Sequence, residues 1–426
     1  MIDAKLLRSD TDRVRAALAR RGAADEVDAF LELDGKRRAL LASVEQSRAD
    51  ANAAAKEIGS AKQEGRDTTI AIAKQAQLKR QTASEEQELA VVDVALRELM
   101  IRIPNIPDDT AADGMEEDDA QTISTWGEPP EFGFEPKDHL TLAGADGLGL
   151  IDIEDAGRVS GARFHYLMGD LVRVEFALMQ WGLDRLTGHG FTPVIPPVLV
   201  REAAMEGTGF FPEAREQVYE VPRDELFLVG TAEVPLASLH GSKVLDAERL
   251  PLRYVGFSTC FRREAGAAGK DTRGIFRVHQ FDKLEMFVYT LPEESVAEHD
   301  RLLAIEEEIA QALGFHYRVQ NIAVGDLGAP AAKKYDIEVW LPGQERYREL
   351  TSCSNCTDYQ ARRLDTRYRA EKGTRHVHML NGTAITSSRT LLAVIEYGQQ
   401  ADGSIATPEV LRPFGAPAVI APAGSP

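Results

Sequence analysis

Cysteine is scarce in this chain, with only Cys260, Cys353 and Cys356 present. So small and odd a number builds no disulfide framework, and a reducing, cytoplasmic setting is expected. Long apolar runs are missing too. No stretch approaches the roughly 18 residues that cross a bilayer, and no apolar core of signal-peptide length follows Met1-Ile2-Asp3-Ala4-Lys5. No membrane association is therefore expected. Basic residues are in deficit: 49 Lys and Arg against 68 Asp and Glu leave a net charge of −19. That balance excludes an indiscriminate polycationic surface but not a local RNA contact, because the deficit is uneven. Residues 1–100 are near neutral, with 17 bases against 18 acids, whereas Asp108 to Asp119 holds acids and no base.

The 426 residues exceed what one small core organises, so two domains, or a body with an appendage, are expected. The first hundred residues read as helix. Phe30, Leu33, Arg37, Leu40, Val44, Ser47, Ala51, Ala54 and Ile58 recur at alternating spacings of three and four. Leu78, Thr82, Glu85, Leu89, Val92, Leu96, Leu99 and Ile103 repeat the pattern. Two heptad seams separated by Gly65-Arg66-Asp67 predict an antiparallel helical hairpin. At 1.5 Å per residue its arm would reach roughly 50 Å. Pro104 and Pro107 stop the second helix. The expected order is a helical N-terminal domain over 1–103, a linker over 104–135, a mixed body over 136–415 and a frayed Ala-, Pro- and Gly-rich tail over 416–426.

Within the body the spacing predicts a helix from Arg163 to Leu186 and a proline-limited extended segment at 191–197. Short strands are expected at Phe227–Val229, Arg253–Phe257, Phe276–Val278, Leu284–Tyr289, Tyr335–Trp340 and Tyr347–Thr351. The most informative stretch runs from Phe257 to Tyr289 as strand, small-residue loop, strand. Arg262 and Glu264 sit two apart, and Arg277, Phe281 and Glu285 are spaced by four, so alternation would gather them on one sheet face. Guanidiniums match phosphate oxygens and an aromatic face stacks on a base, which suits a nucleoside triphosphate. A cross-strand salt-bridge ladder beside a core phenylalanine fits the same spacing.

Phe261-Arg262-Arg263-Glu264, then Arg273-Gly274…Arg277…His279-Gln280-Phe281…Glu285, resembles the second signature motif of bacterial-type seryl class II aminoacyl-tRNA synthetases. Gly230-Thr231-Ala232-Glu233 is similar to that family's serine loop. Glu349-Leu350-Thr351-Ser352-Cys353-Ser354-Asn355-Cys356 is similar to its nucleotide and metal strand. Asn381-Gly382-Thr383 through Arg389-Thr390-Leu391 is similar to its third motif. The helix before Phe191-Thr192-Pro193 resembles its first motif, and the family carries a coiled-coil arm at the N-terminus.

The resemblance implies an α+β fold: an antiparallel-sheet catalytic body with an N-terminal antiparallel coiled-coil hairpin. It implies a serine–tRNA ligase forming seryl-adenylate from serine and ATP, then charging tRNA(Ser), with tRNA(Sec) charging left open. Arg262, Arg389 and Glu349 are the implied catalytic residues. Serine would meet Thr231, Ala232, Glu233, Arg262, Glu285, Asn381 and Thr383. ATP would meet Arg262, Arg263, Glu264, Arg277, Val278, Phe281, Glu349, Leu350, Thr351, Ser352 and Arg389, with Mg²⁺ on Glu349 and Ser352. The first motif implies a homodimer, and the arm implies a grip on the variable arm of the tRNA. Two features depart from the family pattern: Ser388 stands where a glycine is usual, and the third-motif helix closes on Glu396-Tyr397-Gly398-Gln399. Cys353-x-x-Cys356 with His376-x-His378 has zinc-type ligands, yet His-x-His is tighter than the usual spacing and no zinc is expected. The alternative is a paralogue that adenylates an amino acid for a carrier protein or small acceptor; it would keep the body and degrade the arm. A non-catalytic RNA-binding scaffold would lose Arg262, Glu349 or Arg389, and all three are present.

Overall fold

The two heptad seams fold as the two longest helices of the chain. The computed structural model describes residues 1–265, 271 and 273–421. Most of the small-residue loop after Glu264 and the last five residues of the expected tail lie outside them. The chain divides into two compact units, one spanning Ile2–Pro104 and one from Asn105 onward together with Met1.

In the first unit, short helices α1 (Ala4–Ser9) and α2 (Thr11–Ala19) precede α3 (Ala24–Gln63) and α4 (Thr69–Arg102). At 1.5 Å per residue the 40-residue α3 runs about 60 Å, longer than the sequence estimate because it begins before the first seam residue. Phe30, Val44 and Ile58 on α3 and Val92 and Leu99 on α4 are buried along the seam. Polar seam positions are paired across the helices. Ser43 and Ser47 donate to the Glu85 carboxylate at 2.8 and 2.9 Å, and Arg37 meets Asp93 at 2.5 Å. These cross-helix pairs fix the register of the hairpin.

The second unit is built on an eight-stranded sheet. Its strands are β1 (Gln121–Trp126), β2 (Thr192–Val194), β3 (Leu252–Phe261), β4 (Gln280–Thr290), β5 (Tyr317–Asn321), β6 (Lys333–Leu341), β7 (Arg346–Asn355) and β8 (His378–Thr386). They lie in the order β1-β5-β6-β7-β8-β4-β3-β2, every pair antiparallel except β2 with β3. The three longest helices packed on it are α5 (Asp170–Gly188), α6 (Ser295–Ala312) and α7 (Ser387–Gly398). Leu284 and Val288 of β4, Ile337 of β6, Ile385 of β8 and Leu391 of α7 share one apolar core.

The differences from the sequence reading have local causes. The expected linker is partly body, since β1 pairs with β5 and Asn105 donates to the carbonyls of Pro330 and Cys356 at 2.8 and 2.9 Å. The helix expected from Arg163 starts at Asp170, because Gly161, Arg163 and Gly169 all take positive φ. Phe276–Val278 is not a strand; Gly274 turns the chain at φ +85° and the apolar side chains fill the core from an irregular segment. The expected fraying from Ala416 gives way to a short pairing of Val419–Ile420 with Ile405–Ala406, which buries Ile420.

Candidate active site

Four elements converge on one cavity of about 390 Å³: the end of β3, the middle of β4, the centre of β7, and β8 running into α7. Register decides who meets whom. Glu285 of β4 lies opposite Gly256 of β3 and Thr383 of β8, and a bulge after Leu284 offsets the pairing there. The β7–β8 pair sets Ser354 opposite Asn381. Glu349, Ser352, Asn381 and Thr383 thereby share the cavity with Thr231, Glu233, Phe281 and Glu285.

One end of the cavity is rich in guanidinium. Arg262 follows the last residue of β3, donates from Nε to the Gly230 carbonyl at 3.2 Å, and lies 5.2 Å over the Phe281 ring. The strand alternation expected for Arg262 and Glu264 does not hold, because β3 ends at Phe261 and Glu264 takes φ +51°. Both still line the cavity, and Arg277, arriving from the irregular segment, pairs with Glu264 at 2.6 Å. An ion pair therefore does form beside the cavity, though between two residues off the strands and not as the cross-strand ladder the spacing also allowed. Arg389, in the first turn of α7, lies 3.1 Å from the Glu349 carboxylate. The Phe276 ring carries the Arg389 guanidinium at 4.7 Å and that of Arg348 at 3.6 Å. Burial would push the Glu349 carboxyl up, but the charges of Arg389 and Lys334 outweigh it and hold it down at about 2. With 42% of its side chain exposed, the ionised carboxylate is open to the cavity.

The other end mixes acids with hydroxyls. Glu233 opens the short helix Glu233–Ser238, and Gln360 donates to its carboxylate at 2.7 Å. Burial first, then the charge of Glu285, pushes the Glu233 carboxyl up to about 7. Thr383 donates to Glu285 at 3.3 Å, and Lys283 forms a buried ion pair with Glu285. Lys283 and Gln360 escaped the sequence reading. Lys283 had a signal, as a lone lysine two residues before Glu285 in an apolar strand. Gln360 had none, because it arrives from a separate helix, Tyr359–Leu364.

Of the remaining candidates, Val278, Leu350 and Thr351 reach the cavity with largely buried side chains, and the Thr351 hydroxyl is taken by Glu306 at 3.1 Å. Ala232 and Arg263 do not line it. The Ala232 side chain packs with Leu236, Phe287 and Tyr289, while the Arg263 side chain faces an adjoining open pocket beside Tyr219. Ser388 is buried at the cavity wall. The four zinc-type side chains have other neighbours. Cys356 accepts from Asn381 at 3.7 Å, His378 meets the Ser295 hydroxyl at 2.9 Å, His376 lies 3.9 Å from Asp365, and Cys353 is buried in the core.

Known proteins share both units. A family described as "Seryl-tRNA synthetase N-terminal domain" matches residues 1–107, and "tRNA synthetase class II core domain (G, H, P, S and T)" matches 218–397. A serine–tRNA ligase of Acidothermus cellulolyticus is 50% identical over 415 residues, covering 97% of this chain and 98% of its own. Seryl-tRNA synthetase from Pyrococcus horikoshii, solved with ATP, superposes with a TM-score of 0.93 at 41% identity, covering 99% of this chain and all of its own. The cytoplasmic serine–tRNA ligase from Naegleria fowleri, solved with AMP, gives 0.88 at 34% identity, covering 100% and 99%.

Proposed function

The chain belongs to the seryl-tRNA synthetase family of class II enzymes, and from that premise we propose how its cavity works. It activates L-serine with ATP to seryl-adenylate and pyrophosphate, then transfers the seryl group to the 3′ end of tRNA(Ser). The observation that carries the site reading is the cavity's two-ended chemistry: arginines and an ionised carboxylate at one end, buried acids and hydroxyls at the other.

At the first end Arg262 holds the α-phosphate, and Arg277 and Arg389 hold the terminal phosphates. Phe281 stacks on adenine and Glu264 meets its edge. At the second, Glu233 and Glu285 receive the ammonium, Thr231 and Thr383 surround the hydroxyl, and Asn381 lies nearby. The serine carboxylate is a nucleophile at neutral pH, so no general base is required. It attacks the α-phosphorus in line, the bond to the bridging oxygen breaks, and pyrophosphate leaves with that electron pair. Positioning supplies much of the acceleration, and fixed guanidiniums stabilise the charge gathering on the phosphorus. The tRNA terminal hydroxyl then attacks the acyl carbon, the bond from that carbon to the phosphate oxygen breaks, and AMP departs with that electron pair while its phosphate takes the hydroxyl proton.

Glu349 and Ser352 offer oxygen donors only, and Glu349 is held ionised, which suits Mg²⁺. When bound, that ion neutralises phosphate charge. A site that hydrogen-bonds a hydroxyl rejects alanine, whose binding would leave buried polar groups unpaired.

The hairpin serves as the tRNA-binding arm. The protein works as a cytoplasmic homodimer, a reading supported by exposed apolar residues on the first-motif elements: Phe176 is 70% and Ile195 83% exposed. No described helix is long and apolar enough to cross a membrane. The test is ATP–pyrophosphate exchange across a panel of amino acids, followed by charging of unfractionated tRNA. Exchange with serine plus charging is expected. Exchange without charging would transfer the chain to the carrier-ligase reading.

A further inference from the structure

We propose that His139 is a positioning residue, tying the α7 helix that carries Arg389 to the segment that carries Arg277 through one fixed imidazole tautomer. The proposal rests on reading those two arginines as ATP-phosphate ligands. His139 opens the short helix His139–Ala143, which Asp138 caps by accepting the Thr141 N–H at 2.7 Å. Its ring is buried and bonded on both sides. On one side the Ile275 N–H donates to Nε2 at 3.2 Å; on the other, Nδ1 lies 3.3 Å from the Glu396 carboxylate. A main-chain N–H can only donate, so Nε2 must accept, and the ring proton sits on Nδ1, facing an acceptor.

Each end of this bridge is itself anchored. Glu396 is fully buried in the last turns of α7 and also accepts the main-chain N–H of His139 at 3.2 Å and of Gly343 at 2.9 Å. Gln399, one turn on, accepts from the Lys137 N–H and donates to the Lys137 carbonyl, at 2.8 and 3.2 Å. The closing sequence that departs from the family pattern therefore holds the 137–139 segment against α7. At the far end Ile275 is fully buried, and the next two residues are Phe276, the platform beneath Arg389, and Arg277. The approach leaves no room for a side chain at Gly274, where a Cβ would lie 2.3 Å from Nε2. The hydrogen bonds of His139 go to Glu396 and Ile275, neither of which is assigned to a ligand. It fixes the distance between the two arms of the phosphate end.

Two substitutions separate the bonds. His139→Asn keeps a donor for Glu396 and loses the far acceptor, whereas His139→Gln places an amide oxygen near Nε2 and loses the near donor. ATP binding, measured by calorimetry without an amino acid, is expected to weaken roughly tenfold in His139→Asn and to recover most of that in His139→Gln. In exchange assays the loss falls on KM for ATP, while KM for serine stays within about twofold. Gly274→Ala keeps the histidine in the sequence but crowds Nε2 and strains a position at φ +85°, so an ATP-selective loss is expected there too, read beside its Tm to separate displacement of the bridge from loss of fold. Unchanged ATP affinity in all three would overturn the proposal. So would equal losses for ATP and serine tracking a fall in Tm, which is what a merely structural histidine gives. Absence of serine-dependent exchange in the unsubstituted protein would instead remove the functional reading, and the ATP titrations keep the two failures apart.

Discussion

Arg389 meets Glu349 twice, its Nη1 donating to the main-chain carbonyl at 3.1 Å and lying 3.1 Å from the side-chain carboxylate. One residue from the third motif thus fixes both the backbone and the charge of a residue on β7. Because the Glu349 carboxyl is held at about 2, its ionised form is favoured in the folded protein across the ordinary carboxylate range, and that preference is lost only as pH falls through about 2. Arg389→Ala removes the largest opposing charge and lets burial raise the carboxyl. Exchange is expected to fall by roughly 100-fold or more, and the acid limb of the residual pH–rate profile to move upward. A profile with an unmoved acid limb would show that Arg389 does not set the state of Glu349.

Glu233 carries the opposite shift. Its carboxyl lies near 7 in the fold against about 4.3 for a free glutamate, so between those values the native chain holds a proton that the unfolded chain has lost. Its contribution to stability therefore declines as pH rises through that window and is flat above it. Without serine present, Glu233→Gln should gain Tm relative to the parent as pH rises across the window and keep that gain above it. Scanning calorimetry at a series of pH values checks the slope, and a constant Tm difference would refute the assignment.

The buried Lys283–Glu285 pair gives a stability prediction with a built-in control. Lys283→Met strands a carboxylate in a dry site and should cost about 3 kcal/mol or more, whereas Lys283→Met with Glu285→Gln should cost much less. Denaturant unfolding measures both. Equal losses would mean that packing rather than charge dominates.

The hairpin, the strands at Leu252–Phe261, Gln280–Thr290, Lys333–Leu341 and Arg346–Asn355 and most of the cavity residues were legible because each rests on a short-range pattern, whereas β1, β5 and the central β8 were not. The seams at Phe30–Ile58 and Leu78–Ile103 follow a heptad spacing, and Arg262, Glu285, Glu349 and Arg389 lie in motifs of fixed order. What was not legible depends on distant partners. Arg277 was expected on a strand beside Arg262, yet it comes from a coil held by Gly274 and His139, residues 135 positions apart in sequence. Gln360 reaches Glu233 from another helix, and no periodicity announces that contact. The pairing of Val419–Ile420 escaped notice because Ala, Pro and Gly around it read as a tail.

The arm can be tested apart from the chemistry. Removing residues 46–83 and closing α3 onto α4 with a short turn keeps the Ser43–Glu85 and Arg37–Asp93 contacts that fix the base of the hairpin. Serine-dependent exchange should stay within about twofold of the parent, while tRNA charging falls by roughly 100-fold. Full charging by the shortened protein would refute a role in tRNA binding.

The most direct test of the central claim is to trap the intermediate. The protein is incubated with ATP, Mg²⁺ and one labelled amino acid in the presence of pyrophosphatase, freed of small molecules by gel filtration, and its bound adenylate is quantified. The account predicts near-stoichiometric seryl-adenylate with serine, none above background with alanine, and loss of the serine product in Arg262→Ala. Comparable adenylate from alanine, or an undiminished yield in Arg262→Ala, would contradict it.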